Sequence, residues 1–211
     1  IVSYSPSFID GLTVGFSRWV QAYSTFINDT NDYFPVFDGL FRKNDKYGAD
    51  VPGGDQSLEQ QRDQAAGLFF RWVWKEAKAE IYGEYNLNDA KYNLRDLLLD
   101  SDNSRATTFG ISKAFLKSNK NIHQINWEWT QMEQNASRLI RNAGSWYEHP
   151  YVRDGFTNKG EVLGSAIGPG SNSQYISLRR IRNNEKIGLA LEIIDQDNDF
   201  FHDAFSSAED Y

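Results

Sequence analysis

Leu68-Phe69-Phe70-Arg71-Trp72-Val73-Trp74-Lys75 and, beyond Glu76, Ala77-Lys78-Ala79-Glu80-Ile81-Tyr82-Gly83-Glu84-Tyr85-Asn86 decide the fold of this chain. Successive side chains of a strand point to opposite faces. Leu68, Phe70, Trp72 and Trp74 therefore share one face, and Phe69, Arg71, Val73 and Lys75 the other. In the second segment Ala77, Ala79, Ile81, Gly83 and Tyr85 alternate with Lys78, Glu80, Tyr82 and Glu84. A tight link at Glu76 leaves room for a hairpin and little else. The charged set would be costly in lipid and comfortable in a polar lumen. Two tryptophans beside a strand end read as an aromatic girdle at a membrane interface.

Working outward, the same period of two recurs in Ile1 to Tyr4, Leu12 to Tyr23, Ala106 to Lys117, Ile122 to Met132, Gln174 to Arg182 and Ile187 to Ile194. Leu12, Val14, Phe16, Val20 and Ala22 share a face whose exception is Arg18. Ile125, Trp127 and Trp129 alternate with Gln124, Asn126, Glu128 and Thr130, and Ile187, Leu189, Leu191 and Ile193 with Gly188, Ala190 and Glu192. A one-residue slip would move these charges into the apolar face. Half-buried strands of a soluble antiparallel sheet share this period. The linkers separate the two readings, because they alternate strictly between short and long. Outer-membrane barrels have tight periplasmic turns at one rim and long extracellular loops at the other, and antiparallel order forces that alternation. The fold expected is all-β: part of a large antiparallel transmembrane β-barrel, one domain over residues 1–211, with long extracellular loops at about 24–64, 87–103 and 133–172.

Composition agrees. Six Trp, 11 Tyr and 14 Phe bring aromatics to 15%. Mean hydropathy is nevertheless −0.62, and no apolar run approaches the roughly 18 residues of a membrane helix. Barrel strands reconcile these facts, since each shows lipid only every second side chain. A net charge of −7 speaks against nucleic acid, whose phosphates need concentrated Lys and Arg. The absence of Cys removes disulfides, thiolate zinc sites and cysteine catalysis. The chain starts at Ile1 without a secretion signal and ends on acidic Glu209-Asp210-Tyr211, a poor closing strand, so both ends are expected to lie inside a larger protein.

Among the loops, 24–64 is rich in turn formers and has short helical character from Ser57 to Gln64, with Gln60 three residues beyond a capping Ser57. Asn93 to Leu99 reads as one helical turn or two. The segment 133–172 carries the most chemistry. Arg138, Arg141, Trp146, Tyr147 and Arg153 are the candidate polysaccharide contacts, rings to stack on apolar sugar faces and guanidinium groups to pair with uronate carboxylates. The bland reading of each is an anchor for a loop folded into the barrel mouth. Arg71, Lys78, Glu80, Glu84, Asn126 and Glu128 are the candidate lumen-lining set.

Catalytic, metal and cofactor motifs fail on inspection. Asp195-Gln196-Asp197-Asn198-Asp199 opens like a calcium loop, but Phe200 occupies the place of the turn glycine and Ser206 that of the bidentate Glu. Gly164 to Ser173 lacks the Lys of a phosphate loop and reads as a turn-rich loop end. His123, His149 and His202 are scattered, and Glu128 and Glu133 have no readable separation for glycoside cleavage. No enzyme, no metal and no cofactor are expected.

Residues 68–74 and 81–85, then Leu94-Arg95-Asp96-Leu97-Leu98-Leu99, resemble the Wzi capsule-assembly family of Gram-negative outer membranes. Trp129-Thr130-Gln131-Met132-Glu133-Gln134, Arg138-Leu139-Ile140-Arg141-Asn142-Ala143-Gly144-Ser145-Trp146-Tyr147 and Gly168-Pro169-Gly170-Ser171-Asn172-Ser173 carry the resemblance more specifically. It extends from about Ile1 to Asp199-Phe200-Phe201. It implies an outer-membrane barrel of roughly eighteen strands preceded by a periplasmic helical segment. It also implies a lectin-like, non-enzymatic role in anchoring or organising surface polysaccharide. The partners expected are capsular or surface polysaccharide and outer-membrane lipid, with other outer-membrane proteins in addition. An outer-membrane porin or solute channel lined by the lumen set is the alternative, and a soluble carbohydrate-binding β-sandwich is a second.

Overall fold

A computed structural model describes residues 1–23, 62–88, 101–117, 121–135, 145–149 and 152–206. Its strands are β1 (Val2–Tyr4), β2 (Leu12–Ala22), β3 (Arg62–Trp74), β4 (Ala79–Asn88), β5 (Arg105–Lys117), β6 (Asn121–Gln131), β7 (Thr157–Asn158), β8 (Glu161–Val162), β9 (Asn172–Arg182) and β10 (Glu185–Asp195), followed by helix α1 (Asn198–Ser206). Eight of them form one sheet in the order β1-β2-β3-β4-β5-β6-β9-β10, antiparallel throughout. The two-residue strands β7 and β8 pair separately, inside the connection from β6 to β9. The seven long strands run 10 to 13 residues. A tilted strand needs about 9–11 residues to cross a bilayer.

The expected alternation of connections holds. Short connections 5–11, 75–78, 118–120 and 183–184 join strands at one rim of the sheet, and segments 23–61, 89–104 and 132–171 join them at the other. The link after β3 is longer than a single residue: Lys78 donates its N–H to the Lys75 carbonyl at 3.2 Å and sits at φ 51°, so β4 starts at Ala79 rather than Ala77. Toward the other rim β3 begins at Arg62, six residues before Leu68. The helical reading of Ser57 to Gln64 is overturned at its end, because Arg62 and Gln64 pair with Ala22 and Val20 of β2. Ladder pairing there overrides a local capping signal. The remainder of that segment, and the helical reading of Asn93 to Leu99, lie outside the described residues.

Cross-strand register sorts the side chains into two surfaces. Outward, rows such as Trp72–Ile81–Ile111–Trp127–Ile176–Leu191 and Phe70–Gly83–Phe109–Trp129–Gln174–Ile193 run across six strands. Inward, the rows read Phe69–Glu84–Thr108–Thr130–Ser173 and Arg71–Tyr82–Gly110–Glu128–Tyr175–Glu192. The outward residues stay open, with Leu68 62% and Leu189 81% exposed. A soluble sandwich would bury such a face under a second sheet. The outlier Arg18 remains on the outward side, where Nη2 donates to Oε1 of Gln64 at 2.8 Å.

The aromatic girdle has polar edges tied to the rims. Trp72 packs against Trp74 with ring centroids 4.8 Å apart and donates its indole N–H to the Asp10 carbonyl at 3.2 Å, in the turn before β2. Toward the long-connection rim the Tyr85 hydroxyl donates to the Ser101 carbonyl. Amphipathic rings with an apolar body and a bonded edge belong at such a boundary.

Candidate functional site

The inward surface is polar and cross-linked. Arg71 Nη2 lies 2.5 Å from Glu80 Oε2. The Tyr82 hydroxyl donates to Glu128, and its ring covers Gly110, where an added Cβ would come within 2.2 Å of it. The Ser112 hydroxyl and the Gln124 amide donate to Asn126 Oδ1 at 2.7 and 3.0 Å. The Asn126 amide donates in turn to Ser177 at 3.0 Å. These bonds bridge β3 to β4, β4 to β6 and β5 through β6 to β9, so the inward polar side chains brace the sheet as well as wetting it.

At the long-connection rim the path from β6 to β9 folds inward over this surface. Its base is pinned where Met132 donates its N–H to the Ser171 carbonyl at 3.0 Å. The Asn172 side chain accepts the N–H groups of Met132 and Glu133, both at 3.3 Å. Further along, Asn88 donates to the Ser145 carbonyl at 3.4 Å and Trp146 donates its indole N–H to the Arg105 carbonyl at 3.1 Å. Trp146 is 5% exposed and packs with Ala65, Ala106 and Met132, against Trp19, Tyr147 and Ile167. This is the main apolar cluster of the described residues. It sits on the inward side because small residues on β3 and β5 make room for an indole.

Tyr147 turns the chain at φ 69° and organises the residues beyond it. Its carbonyl accepts the Phe156 N–H at 3.0 Å, and its hydroxyl accepts the Ser165 N–H at 2.9 Å. Burial holds the phenol above its ordinary pKa. The Ser165 bond opposes that shift and the charge of Glu84 adds to it. Between this segment and the sheet lies a cavity of about 260 Å³, lined among others by Trp19, Glu84, Asn86, Thr108, Trp146 and Tyr147. That is just below the roughly 300–1,000 Å³ of ordinary ligand pockets. Ala65, Ala106, Met132, Phe156 and Leu163 complete a largely apolar lining, with Glu84, Asn86 and Thr108 among its polar groups.

Two of the five candidate contacts, Trp146 and Tyr147, meet at this cavity. Arg153 is exposed and is not among the residues lining the cavity; its N–H is donated to the Tyr23 hydroxyl at 3.1 Å. Arg138 and Arg141 lie outside the described residues. The bland reading of a loop anchor describes Trp146, whose N–H is bonded to the Arg105 carbonyl and whose ring is buried in the apolar cluster. Of the lumen set, Arg71, Glu80, Glu84, Asn126 and Glu128 are inward. Lys78 sits exposed in the turn of the short rim, one residue before β4, with its carbonyl accepting the Ala114 N–H at 2.8 Å. Trp19, Asn86 and Thr108 do not stand out in the sequence, although all three fall on the wet parity of their strands.

Glu133 is engaged away from Glu128: it accepts from Asn172 at 2.6 Å and Asn198 at 3.2 Å, with His202 Nε2 3.6 Å away. Among the described residues no three His, Asp or Glu side chains are grouped to hold a metal ion. Short turns on one rim, long connections on the other, apolar residues outward and polar residues inward are the features that mark the wall of an outer-membrane barrel.

The family model of the capsule assembly protein Wzi matches residues 4–207, and the chain belongs to that family. Membership implies an outer-membrane barrel, a generally non-enzymatic role and association with capsular polysaccharide. No curated protein and no solved structure matches the chain.

Proposed function

We propose that this sheet is part of a closed transmembrane β-barrel in the bacterial outer membrane. In this reading the extracellular loops, chiefly 133–172, hold or organise exported polysaccharide without catalysing a reaction. Family membership supports the polysaccharide. The observation that carries the choice of loop is the inward fold of the β6–β9 connection, which sets Trp146 and Tyr147 around a cavity, while Arg153 of the same connection is exposed. Aromatic faces would stack on sugar rings. Arg138, Arg141 and Arg153 would pair with glycan carboxylates. Alanine at Arg141 and Arg153 together is expected to lower polysaccharide retention at the cell surface while the amount of barrel in the membrane stays constant. Unchanged retention overturns the assignment.

The continuous polar inward face favours a second reading, a solute channel lined by Arg71, Glu80, Glu84, Asn126 and Glu128. Planar-bilayer conductance separates the two. An anchor with its mouth narrowed by an inward loop passes little current, and a channel passes a steady one.

A further inference from the structure

Cations collect on the outward face at the short-turn rim. Lys113 and Lys117 of β5 and Arg180 and Arg182 of β9 have outward parity, and the His123 imidazole of β6 shares their face. In register, Lys117 stands opposite Asn121 and Asn121 opposite Arg182, while His123 stands opposite Arg180. One step up the strands the row becomes Lys113–Ile125–Leu178, and the next is the apolar row of Ile111, Trp127 and Ile176. The patch is therefore the direct border of the apolar band. Lys117 and Arg182 are exposed, and their side chains make no hydrogen bond or ion pair among the described residues. Arg180 makes one long contact, 3.5 Å to Asn121 Oδ1, and Lys113 donates to the Ala77 carbonyl with its ammonium 5.5 Å from the Phe115 ring centre. Two acids accompany them at this part of the rim, Glu185 of β10 opposite Arg182 and Glu76 in the turn whose Ala77 carbonyl accepts Lys113. At the other rim the outward row is Thr107, Gln131, Asn172 and Asp195.

We propose that this patch binds the headgroup phosphates of anionic phospholipid in the periplasmic leaflet. The inference rests on the outward face being lipid-facing and deepens that reading by naming the lipid. Short turns mark the periplasmic side. A rim that met only water would gain nothing from unpaired cations next to Ile and Trp side chains. At a bilayer the same long side chains run along the acyl region and bring their charges to the phosphate plane. A zwitterionic lipid offers a phosphate already neutralised by its own amine, so net-anionic lipid is preferred.

The test uses the full-length protein reconstituted in vesicles of phosphatidylcholine and reads tryptophan quenching by lipids with brominated chains. In all-brominated phosphatidylcholine the wild type and the double variant K117Q/R182Q are both expected to be quenched equally. When a minor fraction of the lipid is brominated, phosphatidylglycerol is expected to quench the wild type more than phosphatidylcholine does at the same fraction. That enrichment falls by up to about fivefold per cation removed in K117Q/R182Q, and the charge-preserving K117R/R182K retains it. Equal quenching by the two lipids in the wild type, or an enrichment that survives K117Q/R182Q, overturns the proposal. Absence of quenching in all-brominated phosphatidylcholine overturns the lipid-facing reading itself, and the proposal with it.

Discussion

Leu191 and Ala190 are neighbours on β10, yet their side chains belong to different surfaces. Leu191 closes a row of Trp, Ile and Leu that runs outward across six strands, and Ala190 sits inward beside Ser177 in a field of Asn, Gln and Ser. A soluble domain puts its apolar face inside. Here the apolar face is the open one, and the inward face has polar bonds plus one small apolar cluster where the β6–β9 connection lands. The two faces are thus built for different surroundings, and a substitution should report which one it touches.

The largest effect is expected at that landing point. Trp146→Ala removes the side chain that fills the inward cluster and leaves the Arg105 carbonyl without its donor. A loss of about 3–5 kcal/mol is typical of buried Trp→Ala. It should fall on the docking of 145–165 and spare the ladders, so limited proteolysis would open this connection while strand content by circular dichroism stays unchanged. If the ladders melted with it, the separation of braced wall and docked loop would fail.

Next comes the contrast between neighbours. Leu191→Arg should cost about 2–4 kcal/mol if its position is near the bilayer midplane, whereas Ala190→Arg should be close to neutral. Denaturant titration of folding into vesicles measures both, and equal costs would break the division of faces. Inward, Gly110→Val pushes a Cβ into the Tyr82 ring and costs the Tyr82–Glu128 bond, an overpacking penalty of about 1–3 kcal/mol in the same titration. Asn126→Ala should cost about 1–2 kcal/mol, because Ser177, 2% exposed, loses its donor.

The smallest effect is a pH dependence. Burial raises the Tyr147 phenol above its ordinary value near 10, so the folded protein prefers the proton that the unfolded chain releases first. Its contribution to loop docking is complete below that ordinary value and is lost as pH rises through the folded one. Phenolate absorbance of Tyr147, taken as wild type minus Tyr147→Phe, should appear at higher pH than that of a free tyrosine.

The wall is legible in the sequence because polarity alternates at every strand and because Trp72 and Trp74 mark a rim. Arg62 to Gly67 are harder to read, since Gln64, Ala65, Ala66 and Gly67 have little contrast between faces, and it is their ladder with Ser17 to Ala22, joined at Ala65 to Gly67 by one with Asn86 to Asn88, that makes them a strand. Helix α1 and the β7–β8 pair leave no clear pattern. Nine residues are too few for a strong helical period, and Asp199 is held by a long-range bond from the Gln134 N–H at 2.9 Å. At the cavity, Trp146 and Tyr147 stand out as aromatic residues in a polar loop. Trp19, Asn86 and Thr108 join them only through register, which connects strands across segments whose length says nothing about pairing.

The connections also bear on how the sheet comes together. The hairpins β3–β4, β5–β6 and β9–β10 join across connections of two to four residues, so each can zip with little loop-closure entropy, although a lone hairpin is marginal. The ladder between β6 and β9 must instead close over residues 132–171. Contacts inside that segment, from Phe156 N–H to the Tyr147 carbonyl and from Leu163 N–H to the Phe156 carbonyl, divide one long excursion into shorter closed pieces. The segment that folds inward over the sheet is then also the tether that brings the β5–β6 and β9–β10 hairpins within reach of each other.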